Sequence, residues 1–119
     1  VMIFPGGMPG SANLVAFTKL MDIMVQHYEE GGTVAAICAA PSVVLTLLPS
    51  IEGKKMTCYD GFEEALGGKG AVYVKEGVVV DGNMITGRGP GWSQEFGLTI
   101  LAQVKGQEVA DKVKAGLML

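Results

Sequence analysis

Residues 35–41 read Ala35-Ala36-Ile37-Cys38-Ala39-Ala40-Pro41 (AAICAAP), and the division of this stretch decides the fold. Thr33 to Ile37 is short, apolar and partly β-branched, the pattern of a strand buried on both faces of a sheet. Pro41 is tolerated in the first turn of a helix, and Pro49 lies beyond a helix end, so a helix over about 40–48 is predicted. Cys38 therefore sits on a sharp turn from strand to helix. There the free N–H groups and the positive dipole end of the following helix would stabilise a thiolate. Two readings stand at this point. Cys38 is a nucleophile or redox centre, or it is a small core residue, since free cysteine is among the most buried residue types.

Upstream, Val1 to Phe4 reads as a buried strand and Pro5-Gly6-Gly7-Met8-Pro9-Gly10 as a loop. The chain opens on this strand without an initiator methionine or a lead-in, and we expect an N-terminal part of the domain to precede it. Ser11 or Asn13 can cap a helix over roughly 12–30, in which Leu14, Phe17, Met21, Met24 and Tyr28 form an apolar stripe. Gly31-Gly32 ends it.

Downstream, Lys55 to Tyr59 and Ala71 to Val74 read as strands, and Phe62 to Leu66 as a short helix. Val78–Val80 and Met84–Thr86 flank Asp81-Gly82-Asn83, a hairpin signal. Arg88-Gly89-Pro90-Gly91 is a tight loop, Ser93 can cap a helix over about 94–105, and a last helix is predicted over about 107–115. Strands alternating with helices predict one α/β domain, residues 1–119, with a mainly parallel sheet.

Ligands of such sheets bind at the carboxyl ends of the strands. Cys38 ends one predicted strand and the Gly6-Gly7 loop ends another. If those strands are neighbours, the amides of Gly6 or Gly7 and of Ala39 face one pocket, where they could hold the oxyanion of a carbonyl attacked by sulfur.

Composition narrows the alternatives. Hydrophobic residues make up 49% of 119, which suits a globular core. Net charge is −3 with no basic cluster, so nucleic-acid binding has no electrostatic support. No apolar run approaches the about 18 residues of a membrane span, and none of these residues reads as a basic n-region or a signal peptide. Two cysteines, Cys38 and Cys58, make neither a disulfide framework nor a four-ligand zinc site, and a reducing cytoplasm is the expected compartment. No metal site is expected. His27 lies beside the apolar stripe of its helix and reads as a boundary residue. Cys58 reads as strand filler, with a resolving thiol for oxidised Cys38 as the other reading. Tyr59 either packs or lines the pocket, Trp92 walls the site or an interface, and Glu95 suits the first turn of a helix without catalysis.

Three ordered motifs, Val1–Gly7 (VMIFPGG), Ala35–Pro41 (AAICAAP) and Thr86–Gly91 (TGRGPG), together with the tail from Gly106 to Ala115, resemble the ThiJ/PfpI superfamily, and within it the DJ-one/YajL-like clade. The resemblance implies a flavodoxin-like three-layer α/β/α sandwich shared with class I glutamine amidotransferases, with a nucleophile elbow at Cys38, and a homodimer. It matches Cys38 to the reactive elbow cysteine, Gly6 and Gly7 to the glycine pair beside it, and Ala39 to the amide after the nucleophile. Arg88, Gly89 and Pro90, with Gly91, match a segment lining the site. A glutamate hydrogen-bonded to the cysteine belongs, in the family, to a strand-helix-strand region ahead of the PGG motif. Two departures stand out. Tyr59 occupies the place of a histidine found in some clade members, and Ala39 stands where the intracellular-protease branch has histidine. A Cys-His proteolytic dyad of that type is therefore absent, and the late catalytic histidine of the amidotransferases has no counterpart.

The implied activity is that of a glyoxalase that needs neither glutathione nor a cofactor, acting on a small 2-oxoaldehyde such as methylglyoxal, or a deglycase with similar early chemistry. The alternative is an oxidative-stress sensor or chaperone whose Cys38 is oxidised to a sulfinic acid. Hydrolase or thiazole-synthesis roles carried by older family names come after both.

Overall fold

The computed structural model describes residues 1–119. Its elements run β1 (Met2–Phe4), α1 (Gly10–Ala16), α2 (Thr18–Glu29), β2 (Val34–Ile37), α3 (Ala40–Val43), β3 (Lys55–Met56), α4 (Glu63–Gly68), β4 (Val72–Tyr73), β5 (Val78–Asp81), β6 (Met84–Gly87), α5 (Ser93–Lys105) and α6 (Gln107–Gly116). The main sheet has the order β1-β2-β6-β5. Its first three strands are parallel, and β5 is antiparallel to β6. β3 and β4 form a separate parallel pair.

Register and side-chain alternation divide the interior in two. Met2, Val34 and Met84 are aligned across the strands, as are Ile3, Ala35 and Ile85 one step on. The first face packs Val34, Ala36 and Met84 with Phe4, Met21, Met24 and Tyr28, and with residues of α3 and α4. The opposite face packs Ala35 and Ile85 against Phe96 and Ile100 of α5. The sheet thus lies between two helical layers, in the flavodoxin-like α/β/α arrangement, and its central strand is apolar at every position. Fully enclosed side chains such as Met24 and Leu45 each contribute about 1.5–3 kcal/mol by leaving water. α6 packs on α5 through the buried Ala110. No helix is long and apolar enough to cross a membrane.

Several elements differ from their sequence expectations. The helix expected over 12–30 is two helices, broken at Phe17, whose ψ of 86° leaves the helical region. Phe17 drops out of the apolar stripe and stands 60% exposed, whereas Met21, Met24 and Tyr28 are buried. Neither Ser11 nor Asn13 caps, because the helix has already begun at Gly10. The Ser11 hydroxyl instead reaches the Pro5 carbonyl at 3.4 Å.

The helix expected over 40–48 is a single α-turn followed by a 3₁₀ turn over Leu45–Leu47. Val43, Val44 and Thr46 are β-branched, and the Thr46 hydroxyl donates to the Ser42 carbonyl at 2.7 Å, a bond that competes with regular continuation. The strand expected over 55–59 ends at Met56. Beyond it the Thr57 amide turns to the Thr86 hydroxyl at 3.0 Å and the Tyr59 amide to the Cys38 carbonyl at 2.8 Å. Ser93 is the first residue of α5 and not its cap, its hydroxyl donating to the Pro90 carbonyl at 2.7 Å. The hairpin forms as expected, with Gly82 at φ 60°, the positive value a type II′ turn requires at its first position.

Candidate functional site

β2 ends at Ile37, and the next residue takes a conformation few side chains accept. Cys38 has φ 67°, in the left-handed region that glycine favours. Such a residue costs on the order of 1–3 kcal/mol and persists only where its surroundings hold it. Here they do so from both sides. The Cys38 amide donates to the Gly87 carbonyl of β6 at 2.9 Å, and its carbonyl accepts the Tyr59 amide at 2.8 Å.

The loop after β1 closes against this elbow. A Cβ on Gly6 would run into the Cβ of Cys38 and lie 2.7 Å from the Ile37 carbonyl oxygen, so only glycine lets the two turns meet. Gly7 follows with φ 89°. The amides of Gly6, Gly7 and Ala39 donate no hydrogen bond within the chain. An incoming oxyanion needs unpaired donors near the sulfur, and Gly6 and Gly7 line the cavity that Cys38 faces. The helix behind Cys38 is shorter than its sequence suggested, so individual N–H groups, and not a long macrodipole, supply the local positive potential.

Cys38 is half-buried and faces a cavity of about 300 Å³ shared with Gly6, Gly7, Ile37, Pro90 and Ser93. None of these six side chains is a carboxylate or an imidazole. Beyond the wall formed by the 88–93 segment lies a second cavity, of about 180 Å³, lined by Tyr59, Asp60, Arg88, Gly89 and Trp92. The residues singled out from the sequence thus fall in two places. Gly6, Gly7, Cys38 and Pro90 share one cavity with Ala39 buried behind it, while Tyr59, Arg88 and Gly89 share the other.

Arg88 does not reach into the cysteine cavity. Its Nε and Nη2 donate to the two carboxylate oxygens of Asp60 at 2.8 and 2.9 Å. These bonds hold the Asp60 carboxyl below the usual carboxylate range and secure the proton on Arg88. Sequence reading missed Asp60, because nothing local signals a pair 28 residues apart. It also missed Ile37 and Ser93 as cavity walls, having assigned one to the strand and the other to a cap.

Cys58 and His27 line neither cavity. Cys58 has no exposed area and belongs to the larger core. Burial pushes its thiol up, against the lowering effect of the nearby Ser42 hydroxyl. His27 sits at the end of α2 with its Nε2 3.0 Å from the Thr33 carbonyl, closing the turn into β2 far from the elbow. No three side chains of the metal-binding types gather into a ligand set.

A strained cysteine at the carboxyl end of a central parallel strand, enclosed in an α/β/α sandwich, defines an elbow-type domain. A family model described as the DJ-1/PfpI family matches residues 1–103, and the chain belongs to that family. It is 38% identical to protein DJ-1 homolog A of Arabidopsis thaliana over the whole chain, covering 30% of that protein. It is 30% identical to the glutathione-independent glyoxalase DJR-1.2 of Caenorhabditis elegans, again over the whole chain and 62% of that protein. The crystal structure of Drosophila melanogaster DJ-1beta superposes with a TM-score of 0.90 at 37% identity, covering 98% of this chain and 62% of that one. The chain therefore spans less than two thirds of each of these relatives.

Proposed function

We propose that the protein is a glutathione-independent glyoxalase working through Cys38. The observation that carries this reading is the elbow itself, a strained, half-buried thiol on a small cavity that the unpaired amides of Gly6 and Gly7 also line, with the unpaired Ala39 amide directly after the sulfur-bearing residue. The Cys38 thiolate adds to the aldehyde carbon of methylglyoxal, and the amides of Gly6 or Gly7 and of Ala39 receive the oxyanion. A base takes the proton from the former aldehyde carbon and returns one to the neighbouring carbon, which converts the hemithioacetal to a lactoyl thioester; the family's glutamate from the region ahead of the PGG motif would be that base, since no side chain of this cavity is one. Water then cleaves the thioester and releases lactate and the thiol. Overall one water is consumed, no electron is exchanged with an outside acceptor, and no cofactor takes part. The relative named as a glyoxalase supports the same chemistry. Deglycation begins with the same attack and would use the same groups.

A second reading rests on those amides too. Three unpaired N–H groups beside a half-exposed thiol would equally hold the oxygens of a sulfinate, the reading of an oxidation sensor without turnover. In both readings the protein works as a cytoplasmic homodimer.

The deciding assay uses the natural full-length polypeptide without glutathione and follows methylglyoxal loss and lactate release for wild type and Cys38→Ala. Turnover that disappears in the variant supports the glyoxalase. Absence of turnover in both proteins, with Cys38 still taken to sulfinate by peroxide in a mass spectrum, favours the sensor.

A further inference from the structure

The main chain of Cys38 is gripped by two segments that lie far from it in the sequence. Its amide donates to the carbonyl of Gly87, the last residue of β6, and its carbonyl accepts the amide of Tyr59, from the stretch after β3. The elbow is thus a wedge between segments 57–62 and 86–88. If those segments part, one of the two bonds must lengthen. The left-handed turn at Cys38 then loses the surroundings that hold it.

Further contacts oppose that parting. Ahead of the wedge, the Thr57 amide donates to the Thr86 hydroxyl at 3.0 Å, with both residues fully buried. Beyond it, the Phe62 carbonyl accepts the Ser42 hydroxyl at 2.7 Å, which ties the stretch to α3. At the wedge itself, the residue after Tyr59 meets the residue after Gly87. These are Asp60 and Arg88, joined by two bonds of 2.8 and 2.9 Å. Since Tyr59 and Gly87 are the partners of Cys38, the pair closes a ring around the Cys38 main chain. A fork of two parallel bonds fixes angle as well as distance, which one ammonium contact does not. The Arg88 amide is anchored in turn on the Gly77 carbonyl at 2.9 Å. Exposure decides what such a pair can do. The Asp60 side chain is 61% exposed and that of Arg88 27%, and exposed ion pairs add little to global stability. The effect of this one is local.

We infer that Asp60 and Arg88 are positioning residues for Cys38: their bidentate pair holds segments 57–62 and 86–88 at the spacing that keeps the thiol facing its cavity. Neither side chain lines that cavity, so neither touches a substrate held there. The inference rests on Cys38 being the reacting group of the function proposed above, and it adds no step to the reaction.

The test uses the natural full-length polypeptide as wild type, Asp60→Ala and Arg88→Lys. Three quantities are read: the rate at which iodoacetamide alkylates Cys38, followed on its own peptide by mass spectrometry; kcat and KM for methylglyoxal; and the urea midpoint. Both variants are expected to lose about tenfold in alkylation rate and in kcat. KM stays within about twofold, because no substrate contact is lost, and the urea midpoint does not move. Arg88→Lys keeps the charge and loses the fork, so a wild-type alkylation rate in that variant overturns the proposal. A urea midpoint that falls in step with the reactivity also overturns it, since the pair would then act on the whole fold. Unchanged alkylation in both variants, with methylglyoxal turned over as in wild type, overturns the positioning and leaves the glyoxalase reading intact. Absence of turnover in all three proteins counts against the glyoxalase alone, and the alkylation rates still decide whether the pair positions the thiol.

Discussion

Cys38 adopts a backbone conformation that glycine would take at little cost, although a thiol occupies the place. The strain is held by two backbone hydrogen bonds and by the close approach of Gly6. Two substitutions separate the strain from the sulfur. Cys38→Ala keeps a Cβ and hence the strain, while Cys38→Gly removes both. The glycine variant is expected to be the more stable of the two by about 1 kcal/mol, read from urea midpoints, even though glycine ordinarily loses to alanine in a folded chain. Equal stability, or the reverse order, would show that the elbow carries no strain.

The other cysteine makes a prediction of opposite character. Burial raises the Cys58 thiol above its unfolded value, so the folded state holds this proton more tightly than the unfolded chain. Its contribution is complete below about pH 8.5, the ordinary cysteine value, and is lost as pH rises from there through the folded value. Unfolding free energy followed from pH 7 to 10 should therefore decline more steeply in wild type than in Cys58→Ala. Parallel profiles would contradict the assignment.

At the scale of elements, the wall between the two cavities packs against the residue just before β5. A Cβ on Gly77, just before β5, would penetrate the ring of Trp92, and the Gly77 carbonyl accepts the Arg88 amide at 2.9 Å. Gly77→Ala must move the indole, at an expected cost of about 1–3 kcal/mol. Trp92 is the only tryptophan in the sequence, so a shift of the emission maximum in the native state reports the displacement directly. An unchanged spectrum would mean that the backbone yields instead. No pattern around Gly77 betrays this contact, because it joins segments that share no periodicity.

The same distinction explains what the sequence did and did not disclose. β2, the turn at Cys38, the hairpin at Gly82 and the helix over 107–116 were legible, since each is written in local alternation, turn chemistry or helical spacing. The break at Phe17, the collapse of α3 to one turn and the early end of β3 were not. Each is decided by a partner distant in sequence or by a bond from a side chain to the main chain. The site followed the same rule: the elbow and its glycines were visible as motifs, whereas the Asp60–Arg88 pair appeared only once the chain had folded.

For the molecule as a whole, the two faces of the sheet are unequal. A core of 16 buried residues lies on the side of α1 to α4, and a cluster of four lies beneath α5. The elbow stands at the carboxyl edge where both layers meet, with α3 rooted in the larger core and Ser93 at the start of α5 on the cavity wall. Such an arrangement leaves the backbone around the sulfur firmly placed but chemically unsatisfied. The consequence can be read without any substrate turnover. Amide protons held in hydrogen bonds exchange with solvent only when the structure opens. Those of Gly6, Gly7 and Ala39 have no such bonds, and the first two lie on an open cavity. In deuterated water they should lose their signals far sooner than the flanking amides of Phe4 and Ile37. Once an oxyanion or an oxidised sulfur occupies the cavity they should become slow, and the nucleus-by-nucleus change would map which amides take hold of it.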